Sequence, residues 1–400
     1  MRLAQRLEPR KMPLWAWAIG LYVLIRLVFI PVMAAFQPAK YGYPPESSSS
    51  TLYLKLIRPW ERWDVQYYVS MVRDGYGVEP ATRNFYPLYA WLARGPSVLL
   101  GNLWVVGLML TSGVATIGLY LVLNRLAAAD FVHTPRWAVI CFTLLPTAFI
   151  LYAPYSESLF LLFIVASFLF ARLKRWWSAG LMGLFATLTR QQGIIIILPL
   201  LIEMIQAYGG WRPLLKRWRT WLSLALPPLA LVCLVFYRAV FLNDLPPDWW
   251  LPQNWIYAIF VSPNAKLVVP NQGFIAPTTA IYRAIQQGIN PGVYNTWIAR
   301  WFDLTLGTMY LVLFALAWRQ MRWSYRVYSV LVFLLAFSYH TGRNLPYMGL
   351  SRHLLLAFPL AFPIANWSSV SPARRFIVLL AGGFLLVIQA ILYTANAWVV

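Results

Sequence analysis

Charge is scarce in this 400-residue chain: 11% of its residues are Asp, Glu, Lys or Arg, where a water-soluble chain carries roughly 25%. That shortage excludes an ordinary globular enzyme, and the 60% hydrophobic content excludes a disordered chain. Cysteine is nearly missing. Cys141 and Cys233 both lie inside apolar runs, so there is no disulfide framework and no information on redox compartment. Histidine occurs only at 133, 340 and 353, without a His/Asp cluster, which argues against a protein-built zinc site. Walker loops, RNA-binding signatures and internal repeats are all lacking. The first apolar run, Pro13 to Ala35, has no small-residue cleavage site and reads as a span, not a signal peptide.

What is present is greasy sequence punctuated by base. The net charge of +21 could suggest nucleic acid, but the basic residues fall in short clusters between apolar runs, as in cytoplasmic loops of membrane proteins. Runs near the roughly 20 residues needed to span occur at about 13–36, 102–124, 137–154, 157–172, 220–241, 297–317, 327–340, 351–366 and 376–399. The stretch 177–207 would be about 46 Å long as one helix, too long for a hydrocarbon core of about 30 Å. Thr189-Arg190-Gln191-Gln192-Gly193 interrupts it, so it reads as two half-spans. With the N-terminus inside, the inner segments hold roughly 18 Lys and Arg in about 58 residues, against roughly 14 in the longer outer ones. The expectation is an all-α polytopic integral membrane protein. It forms one domain over 1–400, with about eleven membrane segments and large extracytoplasmic loops at about 37–101 and 242–296. Ser47-Ser48-Ser49-Ser50 reads as flexible loop.

The twelve acidic residues can be taken singly. Glu8, Asp130 and Glu203 fall on the inner side and most others outside, so acid–base chemistry belongs at the outer face. Across Trp60–Tyr76, helical spacing puts Trp60, Trp63, Tyr67 and Met71 on one apolar stripe, with Gly75 as a C-cap. Such a helix lies in the membrane interface. Asp64 projects onto its aromatic flank, where a carboxylate is costly unless paired and its pKa tends to rise toward that of a general base. The plain alternative is an Asp paired to Arg62 or Arg73, or facing water. Ser156-Glu157 opens a span, and N-capping with a first-turn acid explains the pair without function. Arg190 sits at the break between half-spans, where cavities form; it suits a phosphate, or snorkels to headgroups. Ser351-Arg352-His353 opens a later span on the same face, a natural anion site.

In this order the pieces resemble a known family. Arg62-Trp63-Asp64-Val65-Gln66-Tyr67-Tyr68, Gly75-Tyr76 and Asn84-Phe85-Tyr86-Pro87-Leu88-Tyr89 resemble the first-loop signature of PIG-V-type mannosyltransferases, within the GT-C superfamily of multispan glycosyltransferases. Pro154-Tyr155-Ser156-Glu157-Ser158-Leu159-Phe160, Thr189–Gly193 and Ser351-Arg352-His353-Leu354 through Phe358-Pro359 resemble the later motifs, so the likeness runs from about 60 to 360. Tyr86, Ala90 and His353 depart from the usual Phe, Pro and Tyr. The resemblance implies a GT-C-like fold and an inverting transfer of a sugar, typically mannose, from a polyprenyl-phosphate donor to a hydroxyl of a lipid or glycolipid acceptor. It implies Asp64 as general base, and Arg190, Arg352 and His353 on the donor phosphate. Glu157 and Gln191, with Trp63, Tyr68 and Tyr155, would contact sugar or acceptor. No cofactor or metal is expected, and no nucleic acid partner. A Trp-rich stretch at 245–255 would cover the site. Rival readings are a GT-C transferase for another sugar, a polyprenyl-sugar transporter or flippase, and a non-catalytic lipid-binding subunit. The Asn366-Trp367-Ser368 sequon falls on the inner side and no ER-retention tail is seen, which favours a prokaryotic plasma membrane over the endoplasmic reticulum.

Overall fold

The computed structural model describes residues 12–36, 51–130, 134–245, 273–289, 294–340 and 349–395, with positions 132, 248–251, 254 and 347 besides. The N-terminal basic segment with Glu8, the serine run 47–50, His133 and five residues of the Trp-rich stretch 245–255 lie outside the described residues.

Helix dominates because the apolar runs satisfy their own backbone groups only by coiling. The first long connecting segment follows α1 (Leu14–Phe36) and contains α2 (Thr51–Leu56), α3 (Val65–Arg73) and α4 (Leu88–Leu99). Then come α5 (Trp104–Ala129), α6 (Pro135–Thr143), α7 (Glu157–Arg172), α8 (Trp176–Thr189) and α9 (Ile197–Ala207). Two short pieces, α10 (Trp211–Leu215) and α11 (Trp218–Trp221), lead into α12 (Leu226–Phe241). The second long connecting segment contains α13 (Pro277–Ile289). It is followed by α14 (Tyr294–Ala317), α15 (Trp323–Ser338), α16 (Leu350–Leu354), α17 (Ala361–Ser369) and α18 (Pro372–Thr394). A two-residue ladder, β1 (Gly273–Phe274) against β2 (Tyr339–His340), ties the second connecting segment to the end of α15.

Five helical stretches among the described residues are long and apolar enough to cross a membrane: Leu14–Phe36, Trp104–Ala129, Trp218–Phe241, Trp301–Gln320 and Pro372–Thr394. The protein is therefore an all-α integral membrane protein. Several expected spans are not single rods. The run at 137–154 bends by 91° between α6 and the 3₁₀ turn Pro146–Tyr152, because Pro146 cannot donate to the continuing ladder. The run at 351–366 is split into α16, a 3₁₀ turn at Phe358–Leu360 and α17, again at a proline. The break at 189–193 falls where expected. α8 stops at Thr189, Arg190 is extended, and a 3₁₀ turn Gln191–Ile196 leads into α9. Gly193 is obligatory in this turn: a Cβ there would lie 2.3 Å from the backbone nitrogen of Thr187.

Polar groups gather at the two ends of α7, which puts them about 23 Å apart. At its C-terminal end Arg172 bonds Asp130 at 2.6 Å and also Glu203, with Tyr325 and Ser324 donating to the same two carboxylates. With Arg322 as second cation, 4.0 Å from Asp130 and 3.8 Å from Glu203, this closes the ends of α5, α7, α9 and α15 into one charge-balanced knot, beside the basic turns around 172–175 and 319–326. The other end of α7 carries a second, different cluster.

Candidate functional site

α3 begins later than the sequence periodicity suggests. Arg58–Trp60 is a separate 3₁₀ turn, and Trp63 takes a left-handed backbone (φ 53°) that breaks any continuous helix from Trp60. The buried face of α3 is accordingly Val65, Tyr68, Val69, Met71 and Val72, in place of the expected stripe of Trp60, Trp63, Tyr67 and Met71. A left-handed tryptophan costs of order 1–3 kcal/mol and persists only where its surroundings impose it. Here the strain delivers the next residue, Asp64, to the N-cap of α3. Asp is a favoured cap because its carboxylate accepts from the helix's first N–H groups. The Asp64 side chain makes no such bond; it turns away, and its Oδ2 accepts from Nη1 of Arg352 at 2.8 Å.

Neither arginine near it in sequence takes it. Arg73 pairs with Asp74 at 2.9 Å, and Arg62 donates to the Thr394 carbonyl at 3.0 Å. The Tyr393 hydroxyl donates to the Trp60 carbonyl at 2.9 Å. The turn presenting Asp64 is thus braced from the end of α18.

Ser156 occupies the N-cap of α7 but does not cap it either. Its hydroxyl accepts from Tyr68 at 2.9 Å and from Arg190 Nη1 at 3.3 Å. Burial pushes the Tyr68 phenol up to about 12, so it stays a proton donor at any physiological pH. Glu157 is wholly buried. Its Oε1 accepts from Arg190 Nη1 at 2.5 Å and from Nε of Arg352. Arg352 itself lies 4.6 Å above the Tyr155 ring, whose hydroxyl is taken by the Arg62 carbonyl at 2.9 Å. Tyr155 is therefore a floor under Arg352, inaccessible itself.

The result is an alternating chain, Asp64–Arg352–Glu157–Arg190, drawn from α3, α16, α7 and the break after α8. It holds two anions and two cations, and burial of each charge is offset by its neighbour. Asp64 is the open end: its side chain is 26% exposed against 8% for Arg352. Of the remaining expected site residues, Trp63 is half-buried beside Asp64. Gln191 follows Arg190 in the 3₁₀ turn and makes none of the bonds joining the four charges. His353 packs edge-on against Tyr339, with centroids 5.8 Å apart. Two groups had no recognisable sequence signal. Tyr339, at the end of α15, stands in electrostatic reach of Asp64, Arg352 and Arg190. Asp303 sits within α14, buried against the start of α16.

Chemically, the arrangement offers a carboxylate with one accessible side, next to two guanidiniums whose forks suit a phosphate. No family model matches the chain, and no curated protein matches it. Among solved structures, the oligosaccharyltransferase of Archaeoglobus fulgidus, determined with a tethered acceptor peptide, is similar at 11% identity with a TM-score of 0.46. The match covers 94% of this chain and 55% of that one, so the chain spans about half the length of that enzyme.

Proposed function

We propose that the protein is a membrane glycosyltransferase of the GT-C kind. It moves a sugar, mannose on the motif resemblance, from a polyprenyl-phosphate donor to a hydroxyl of a lipid or glycolipid acceptor at the extracytoplasmic face. The observation that carries this reading is the withheld cap: Asp64 occupies a capping position yet spends its carboxylate on Arg352, beside a second, partly buried arginine at a helix break.

The acceptor oxygen forms a bond to the anomeric carbon as the bond from that carbon to the phosphate oxygen breaks. The electron pair leaves with the phosphate, and the acceptor proton goes to Asp64. Negative charge therefore moves from the carboxylate to the leaving phosphate during the step. Arg352 touches Asp64 at the start and is placed to follow that charge, with Arg190 as second donor. A preorganised donor of this kind is worth roughly 10²–10³ in rate, and a positioned base roughly 10²–10⁴. Glu157 keeps the two guanidiniums apart and aimed. Trp63 and Tyr68 flank the base, where sugar or acceptor would lie, and Gln191 and His353 border the phosphate side. A site that lies at a membrane face lets the donor's polyprenyl tail remain between lipid and helices.

A polyprenyl-sugar transporter is the second reading, favoured by the broken segment at Arg190, since such breaks line transport pathways. The test uses purified protein in nanodiscs with polyprenyl-phosphate-mannose and a panel of lipid and glycolipid acceptors, with release of polyprenyl phosphate followed by mass spectrometry. Acceptor-dependent release that falls at least about 100-fold in Asp64→Asn, with the protein still folded, is the expected result. Full turnover in Asp64→Asn would sink the assignment of the base. Donor binding without release under any acceptor, combined with donor movement across a sealed vesicle, would favour the transporter.

A further inference from the structure

Asp303 has no place in the reaction just described, yet it is an acid inside an apolar helix and only 2% exposed. Among the described residues it forms no ion pair. Its Oδ1 accepts instead from the backbone nitrogen of Ser351 at 3.5 Å and from the Ser351 hydroxyl at 3.4 Å, with the N–H groups of Gly349 and Leu350 close by. These are the first N–H groups of α16, which have no partner within their own helix. The chain enters α16 through Gly349 in a left-handed conformation (φ 67°, ψ 40°), and no side chain of the segment itself caps it. The carboxylate from α14 supplies that cap from outside.

One turn further along the same helix, Gly307 leaves room for Leu350: a Cβ at Gly307 would lie 2.9 Å from a Leu350 methyl. From the opposite side, the Thr147 hydroxyl donates to the Ser351 carbonyl at 2.8 Å. Asp303, Gly307 and Thr147 thus fix α16 in height and rotation. α16 is five residues long and carries Arg352 in its third position, so a tilt of one residue moves the guanidinium by ångströms. An uncompensated buried carboxylate is costly, and two hydrogen bonds to the first turn of one short helix are its visible return.

We infer that Asp303 is a positioning residue: it sets Arg352 against Asp64 and the donor phosphate by gripping the start of α16. This rests on the phosphate-holding role proposed above for Arg352. The experiment compares Asp303→Ala and Asp303→Asn, each alone and with Arg352→Gln, in full-length protein in nanodiscs. Four readouts are taken: affinity for decaprenyl phosphate by native mass spectrometry, KM for donor and acceptor in transfer, melting temperature, and the rate at which phenylglyoxal modifies Arg352, followed by peptide mass spectrometry.

The expected result for Asp303→Ala is at least about tenfold weaker decaprenyl phosphate binding and a matching rise in donor KM, with acceptor KM unchanged. Arg352 is modified about tenfold faster. Asp303→Asn, which keeps one accepting oxygen, returns each value to within about threefold of the wild type. In the Arg352→Gln background Asp303→Ala adds no further loss of binding, since residues acting as a unit are not additive. Equal losses with and without Arg352, or an effect confined to melting temperature, would overturn the inference. If the wild type neither binds decaprenyl phosphate nor transfers sugar, the functional reading fails. The phenylglyoxal rates then decide the positioning role alone: unchanged Arg352 reactivity in Asp303→Ala refutes it.

Discussion

Glu157→Gln separates two roles for the most deeply buried group of the site. Glutamine keeps the volume and one accepting oxygen but removes the charge, leaving Arg190 and Arg352 with Asp64 as their remaining anion. Breaking a buried pair costs about 3–5 kcal/mol. The retained oxygen still accepts one bond and Asp64 still faces Arg352 at 2.8 Å, so the low end, about 3 kcal/mol, applies to stability. The effect on phosphate runs the other way. A carboxylate about 6 Å from a bound phosphate repels it by roughly 2.8 kcal/mol at an effective dielectric of 20. With half of that lost to relaxation of the arginines, decaprenyl phosphate binds about tenfold tighter. Turnover falls, because the product phosphate is held and the guanidiniums are no longer aimed. The assay pairs thermal unfolding in nanodiscs with decaprenyl phosphate binding and steady-state transfer. An unchanged melting temperature with weaker phosphate binding would refute the anchor role. A rise in acceptor KM alone would instead make Glu157 a sugar contact.

At the far end of α7, Arg172→Gln strips two buried carboxylates of their nearer shared cation and leaves them the more exposed Arg322 at 3.8–4.0 Å, so melting temperature drops while donor and acceptor KM in the surviving folded protein stay within about twofold. Gly193→Val has no room beside the Thr187 backbone; it forces the turn open, and transfer falls with Arg190 displaced, whereas Gln192→Ala one residue earlier leaves transfer within about threefold. The Tyr68 phenol ionises near 10 when unfolded and near 12 when folded. Its contribution is therefore complete below pH 10 and is lost as pH climbs toward 12. The stability difference between wild type and Tyr68→Phe, about 1 kcal/mol for one hydrogen bond, should be flat from pH 6 to 9.5; a slope within that window would contradict the burial of the hydroxyl.

Much of the membrane architecture was legible because hydropathy and length are local properties. The half-span break was readable for the same reason: five polar or small residues inside an apolar run leave few alternatives. The bends at Pro146 and around Phe358–Leu360 were missed because a proline in an apolar run is compatible with a kinked span as well as a broken one. For the site, sequence reading chose Asp64, Glu157, Arg190 and Arg352, and the structure brings these four together. It could not tell which acid meets which base, since Asp64 and Arg352 are 288 positions apart. Ser156 illustrates the limit of local rules: its position is that of a cap, and its hydroxyl serves a tyrosine and an arginine from other segments. Asp303 was invisible for a different reason. Its partners are the backbone N–H and the hydroxyl of Ser351; a serine carries no signal of its own in a sequence, and a backbone donor, which every residue but proline possesses, is displayed by none.

The bracing of the Asp64 turn by α18 has a consequence for how the molecule comes into being. The carbonyls and side chains that fasten Trp60 and Arg62 belong to residues 332 and 333 positions later in the chain. A nascent protein inserting from its N-terminus would hold Asp64 in a turn with nothing behind it for most of its synthesis. Asp64 would reach its final position only when residue 394 had left the ribosome and α18 had entered the bilayer. Partial chains released early would keep most of the motifs in sequence while lacking the geometry that makes them chemistry.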